Sequence, residues 1–169
     1  MSMLVSSEQC VIPPEAVSLQ GLGALELRHN SDGSRYYAMR VYNATGGVLN
    51  VGQPYILYGN TGGDEEFTPA VLAVAGLAAV PRRVCIALEA AAIGGYTWVA
   101  VQGWVDNVLL TGTITKGDGV KLATGTSTTR LTTDGTTQTT ATLGTAAQAG
   151  SSTHVGTVWL SGELAVVTT

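Results

Sequence analysis

Side-chain alternation with a period of two, interrupted every few residues by glycine, limits what this chain can fold into more than any other feature. Successive residues of an extended strand point to opposite faces, so period-two apolar patterning buries one face of a strand and cannot line one side of a helix. Over residues 96–105, Val99, Val101 and Val105 alternate with Trp98, Ala100, Gln102 and Trp104. Over 35–43, Tyr37, Met39 and Val41 alternate with Tyr36, Ala38, Arg40 and Tyr42. Val84, Ile86 and Leu88 form one face of a third run. Val158, Leu160, Leu164 and Val166 form one face of a fourth, with Trp159, Ser161, Glu163 and Ala165 on the other. Leu25 and Leu27 alternate with Glu26 and Arg28, and shorter runs lie at 55–58, 108–110 and 120–122.

Turn-forming clusters separate these runs. His29-Asn30-Ser31-Asp32-Gly33-Ser34, Asn43-Ala44-Thr45-Gly46-Gly47 and Lys116-Gly117-Asp118-Gly119 carry the Asn, Asp, Ser and Gly residues that tight turns use. Fifteen threonines lie between Thr111 and Thr145. Their branched Cβ atoms favour strand, and Gly125, Gly135 and Gly144 divide the stretch into short hairpins. Residues 70–80 read either as a short helix, capped by Thr68 with Pro69 in its first position, or as an extended segment. Many short strands with glycine turns specify an all-β fold, a compact β-sandwich or barrel of jelly-roll or β-tulip type. Residues 21–169 form this single domain. Residues 1–20 precede it as an extended arm, because Pro13-Pro14 disfavours helix and strand alike.

One internal echo is visible. Gly47-Val48-Leu49-Asn50-Val51-Gly52-Gln53-Pro54-Tyr55-Ile56-Leu57 aligns with Gly112-Thr113-Ile114-Thr115-Lys116-Gly117-Asp118-Gly119-Val120-Lys121-Leu122, 65 residues on. The pattern predicts one strand–turn–strand unit used twice.

Composition narrows the function. Charged residues are 12% of the chain, about half the share usual for a soluble domain, so part of the surface is expected to be covered by partners. With a net charge of −4 and no basic cluster beyond Arg82-Arg83, direct nucleic-acid binding is not expected. The longest apolar stretch, 70–80, is too short to span a bilayer, and residues 1–9 lack a secretory signal pattern. Synthesis in a cytoplasm is therefore expected. Cys10 and Cys85 stand far apart and suggest no disulfide framework. His29 and His154 sit in polar, turn-like contexts. No nucleophile elbow, phosphate loop or paired-histidine spacing occurs. Asp64-Glu65-Glu66 reads as a solvated loop. No enzyme activity, cofactor or metal is expected.

Across residues 40–122, the order Asn43-Ala44-Thr45-Gly46-Gly47, Gly52-Gln53-Pro54-Tyr55, Arg83-Val84-Cys85-Ile86-Ala87-Leu88-Glu89-Ala90, Gly95-Tyr96-Thr97-Trp98-Val99-Ala100-Val101-Gln102-Gly103 and Gly117-Asp118-Gly119-Val120-Lys121-Leu122 resembles the head decoration, or capsid cement, proteins of tailed bacteriophages. The resemblance implies a virion protein on the capsid exterior, partnered by the major capsid protein and by itself as a homotrimer. Under it, Cys10, Val11, Ile12, Pro13 and Pro14 of the arm are candidate capsid contacts. Trp98, Trp104 and Trp159 are candidate subunit contacts, expected to lie away from the core. The alternative is a carbohydrate-binding or adhesive module of a head or tail fibre, with the tryptophans and tyrosines stacking on sugar rings.

Overall fold

The computed structural model describes residues 25–59, 69–72, 81–123, 129–135, 142–162 and 165–166. The expected arm, with Cys10, Val11, Ile12, Pro13 and Pro14, lies outside the described residues, as do Asp64-Glu65-Glu66 and 73–80. Every regular element described is a strand: β1 (Leu25–His29), β2 (Arg35–Asn43), β3 (Pro54–Gly59), β4 (Pro69–Leu72), β5 (Pro81–Ala87), β6 (Tyr96–Leu110), β7 (Gly119–Leu122), β8 (Leu131–Gly135), β9 (Gly144–Ala146), β10 (His154–Leu160) and β11 (Ala165–Val166). The fold is all-β. Pro69, read as the possible start of a helix, begins strand β4 instead.

Strand pairing closes two five-membered rings that share β6: β2–β4–β3–β5–β6 and β6–β8–β7–β9–β10. The pairings match one for one. The parallel pair β2–β4 corresponds to the parallel pair β6–β8, and the other pairs of each ring are antiparallel. β1 extends β2 outside the first ring, and β11 pairs with β5.

The echo read from the sequence is the beginning of this repeat. Leu49 bridges Ala91 and Ile114 bridges Gly150, each through reciprocal backbone hydrogen bonds of 2.8–3.3 Å. The amide of Gln53 donates to Asn50 O at 3.2 Å, and that of Asp118 to Thr115 O at 3.0 Å. Gly52 N donates to Ala87 O (2.8 Å) and Gly117 N to Ala146 O (2.9 Å). Leu88 N donates to Trp98 O and Ala147 N to Thr157 O, both at 2.9 Å. Beyond the turns the equivalent positions lie 59 rather than 65 residues apart, because the second ring has the shorter connection between its inner strands.

Each ring has its own core. Met39, Val41, Leu49, Tyr55, Cys85, Ala87, Val99 and Val101 form the first. Their equivalents Val105, Val108, Ile114, Val120, Ala146, Val158 and Leu160 belong to the second. Ile56, Val84, Ile86 and Ala100, on the opposite face of the first ring's strands, lie in that second cluster, so the second ring packs over a wall of the first. Leu88 is half-buried against this cluster.

β6 serves both rings through two bulges. One extra residue stands between Ala100 and Gln102 against Ala38–Tyr37, and another between Val105 and Val108 against Val158–Gly156. Each bulge moves the following side chains to the other face. Val101 therefore points into the first core and Val105 into the second. Trp98 and Trp104, expected on one face, lie on opposite faces. Between the bulges Gly103 has φ +96°, and a Cβ there would stand 2.5 Å from Arg35 O and 2.8 Å from Tyr36 Cα. Gly103 pairs with Tyr36 on one edge and Leu160 on the other, so neither neighbour is free to move.

Gly103→Ala is expected to lower unfolding stability by more than about 2 kcal/mol, since left-handed strain adds to a backbone clash. Gly33→Ala, at φ +85° but with nothing within 4 Å, carries the conformational strain alone, about 1 kcal/mol. Urea denaturation of both variants checks the difference. Equal losses would show that the approach of β2 to Gly103 is not constrained.

Candidate interaction surface

The described residues hold no group of three or more His, Cys, Asp or Glu side chains placed for a metal ion. His154 packs its ring over Gly150, with Nδ1 3.3 Å from Ser152 O and Nε2 buried without a partner. Cys85 is free and fully buried, its thiol 3.5 Å from Tyr55 O, and burial raises its pKa strongly. A thiol held protonated and shielded in this way is a core residue and a poor nucleophile.

The sequence-predicted tryptophans separate into two environments. Trp98 follows the alternation of Ala100 and stands opposite Arg40. The Arg28 guanidinium lies 4.0 Å from its ring centroid, and the same guanidinium pairs with Glu26 at 3.1 Å. Trp98 is thus half-covered by a cation–π contact within the chain. Trp104 and Trp159 face each other directly across β6 and β10 and are 38% and 39% exposed. Of the three candidate contacts, the structure brings two together and sets Trp98 on the far side of the sheet.

The surface beside the tryptophan pair extends further than the sequence reading anticipated. Register places Leu27 opposite Tyr37, and Tyr37 opposite Gln102, one alternation away from Trp104. Leu25, Leu27 and Tyr37 are 56%, 48% and 43% exposed. With Trp104 and Trp159 they make an apolar strip across β1, β2, β6 and β10, roughly 15 Å wide at the usual strand spacing, with exposed Gln102 standing between Tyr37 and the tryptophans. Leu25 and Leu27 look like ordinary core-facing alternation. Only the register of the turn at 30–34 puts them on an open face.

That turn is firmly built. Asp32 accepts from the Ser34 hydroxyl (2.7 Å) and amide (2.9 Å), which lower the pKa of its carboxyl. Asn30 Nδ2 donates to Ser34 Oγ (2.8 Å) and to Trp104 O (2.9 Å), tying the turn to β6. Asp32, Ser34, Trp104, Ala147, Gln148 and Thr157 line an open cleft of about 370 Å³, and the Thr157 hydroxyl donates to Asp106 at 2.7 Å.

No family model matches the chain, and no curated protein matches it. Among solved structures it is similar to the crystal structure of the head fiber gp8.5 N base in bacteriophage phi29, with 13% identity over 75% of this chain and 95% of that one, and a TM-score of 0.48.

In a Cys10→Ser variant, Cys85 should not react with Ellman's reagent at pH 8 in the folded protein and should react fully in urea. Native labelling within minutes would contradict the burial of this thiol.

Proposed function

We propose that this chain is a structural protein of a tailed-phage head, which adds to the outside of an assembled capsid and stabilises it without enzymatic activity. The observation that carries this reading is the exposed strip Leu25–Leu27–Tyr37–Trp104–Trp159 on an all-β body in which both faces of the central strands are already buried. Exposed large apolar side chains gathered on one face of a charge-poor protein mark a surface meant for a partner. The turn-and-strand order over residues 40–122 supports the phage assignment by its resemblance to decoration proteins. That resemblance also implies a homotrimer that contacts the major capsid protein, with residues 1–20 as a grip anchored by Cys10, Val11, Ile12, Pro13 and Pro14. Several arms in one oligomer would raise avidity without strong individual contacts.

A second reading, a saccharide-binding module of a head or tail fibre, is favoured by the cleft. Trp104 supplies an aromatic platform, and Asp32, Gln148 and Thr157 surround it with polar groups of the kind that hydrogen-bond sugar hydroxyls.

Particles stripped of this protein, then rebound with full-length or residue-1–20-deleted chain, separate the two readings. Head stabilisation predicts that stripped particles release DNA at a lower temperature and that full-length protein restores them. The deleted form should bind less tightly. Stripped particles with unchanged heat stability and poor adsorption to cells would overturn the head-stabilising reading in favour of the second.

A further inference from the structure

We propose that a second cleft, between the turn at 30–34 and residues 87–89, is a subsite for a neutral saccharide, distinct from the cleft at Trp104. It encloses about 240 Å³, and its polar lining is Arg28, Asn30, Tyr36, Glu89, Asp106 and Asn107. The duplication gives it its place. Leu88 corresponds to Ala147 through the matched backbone hydrogen bonds, so Glu89 corresponds to Gln148. Ala147 and Gln148 line the cleft at Trp104, and Leu88 and Glu89 line this one. Each ring therefore carries a cleft where the chain leaves the equivalent strand, β5 in one and β9 in the other. The turn at 30–34 stands between them: Asn30 lines one, Asp32 and Ser34 the other.

The polar groups of this cleft are held by one partner and keep another atom uncommitted. Asp106 and Asn107 are the bulged residues of β6, and the bulge brings two consecutive residues to one cleft where a regular strand would send them to opposite faces. Asp106 accepts from the Thr157 hydroxyl through Oδ1 at 2.7 Å, which leaves Oδ2 as an acceptor. Asn30 Nδ2 spends both hydrogens, on Ser34 Oγ and Trp104 O, which leaves Oδ1. The Glu89 carbonyl accepts from the buried Thr97 hydroxyl at 3.0 Å, so the backbone that carries its exposed carboxylate is anchored. Arg28 is set by Glu26 and by the Trp98 ring. Two carboxylates and a guanidinium around one cleft disfavour a charged ligand of either sign. Fixed acceptors, with Tyr36 and the Asn107 amide as donors, suit a ligand rich in hydroxyls, which both donate and accept. Val51 and Leu88 supply apolar contact for the C–H face of a pyranose. Groups held before binding lose little freedom when they engage it.

NMR titration of the isotope-labelled full chain with the methyl glycosides of glucose, galactose, mannose and N-acetylglucosamine tests this. At least one glycoside should shift the Asn30 side-chain amide signals saturably. Glu89→Ala and Asn107→Gly should each weaken that binding by at least about tenfold, the scale of one lost hydrogen bond to a polar group held in place. Both variants should keep the wild-type circular dichroism spectrum, because Glu89 is exposed and glycine accepts φ +60° readily. Trp104→Ser, in the other cleft, should leave the affinity unchanged. No saturable shift with any of the four glycosides, or unchanged affinity in both cleft variants, overturns the inference. So does binding lost in Trp104→Ser alone, which would move the sugar to the other cleft. A saturable response to ethylguanidinium chloride and to no glycoside would assign the cleft to a basic side chain and overturn it as well. The titration uses no particles, so its failure leaves the head-stabilising reading standing, and a failure on particles leaves this subsite standing.

Discussion

A β-strand has two hydrogen-bonding edges, and β6 spends both. It pairs with β2 and β5 in its first half and with β10 and β8 in its second, and at Gly103 both edges are occupied by the same residue. No backbone group there is free to turn toward water, so the strand is fixed in place before any side chain is considered. The two rings place opposite demands on its side chains, because the face that lines the first core is the outer face at the second. Opposite faces of the one strand meet these demands: Val99 and Val101 turn to the first core and Ala100, Val108 and Leu110 to the second, and the bulges shift the alternation only between them, where Val105 takes the second-core face. Asn107, at φ +60°, takes the left-handed position of the second bulge, where Asn is among the best-tolerated residues other than glycine.

The placement of the candidate surface follows from that strand. Had the alternation run unbroken from Trp98 to Trp104, all three tryptophans would share one face. The bulge beside Val101 instead gives Trp98 to Arg28 and leaves Trp104 opposite Trp159. The pair is held from behind: Asn30 secures the Trp104 carbonyl, and β9 approaches so closely at Gly144 that a Cβ there would meet the Trp159 carbonyl. An exposed aromatic pair on a backbone so constrained is pre-organised, and it loses little conformational freedom when covered.

Much of the architecture was legible in sequence. Strand positions at 35–43, 83–88, 96–105 and 158–160 follow from period-two patterning, and the Leu49 and Ile114 units from their shared glycine turns. The second half of each repeat was not legible, because Trp98 and Thr157, or Ala91 and Gly150, are equivalent only through backbone hydrogen bonds that constrain no side-chain type. Bulges leave little local signal either: Gly103 reads as one more glycine in a glycine-rich chain. Val99 and Val101 lie in the core as their alternation implies, but the exposed position of Leu25 and Leu27 depends on cross-strand register, which pattern alone does not contain.

A wall shared by two compartments also removes the seam between them. Proteins built by tandem duplication ordinarily keep a connector at which the halves can be cut apart, exchanged or evolved separately. Here the last strand of the first unit is the first strand of the second, so there is no such connector. Half of this molecule is not a smaller version of it but a ring with one side missing, and any lineage that lengthened the array would have to start from an edge such as that of β1, which among the described residues pairs on one side only.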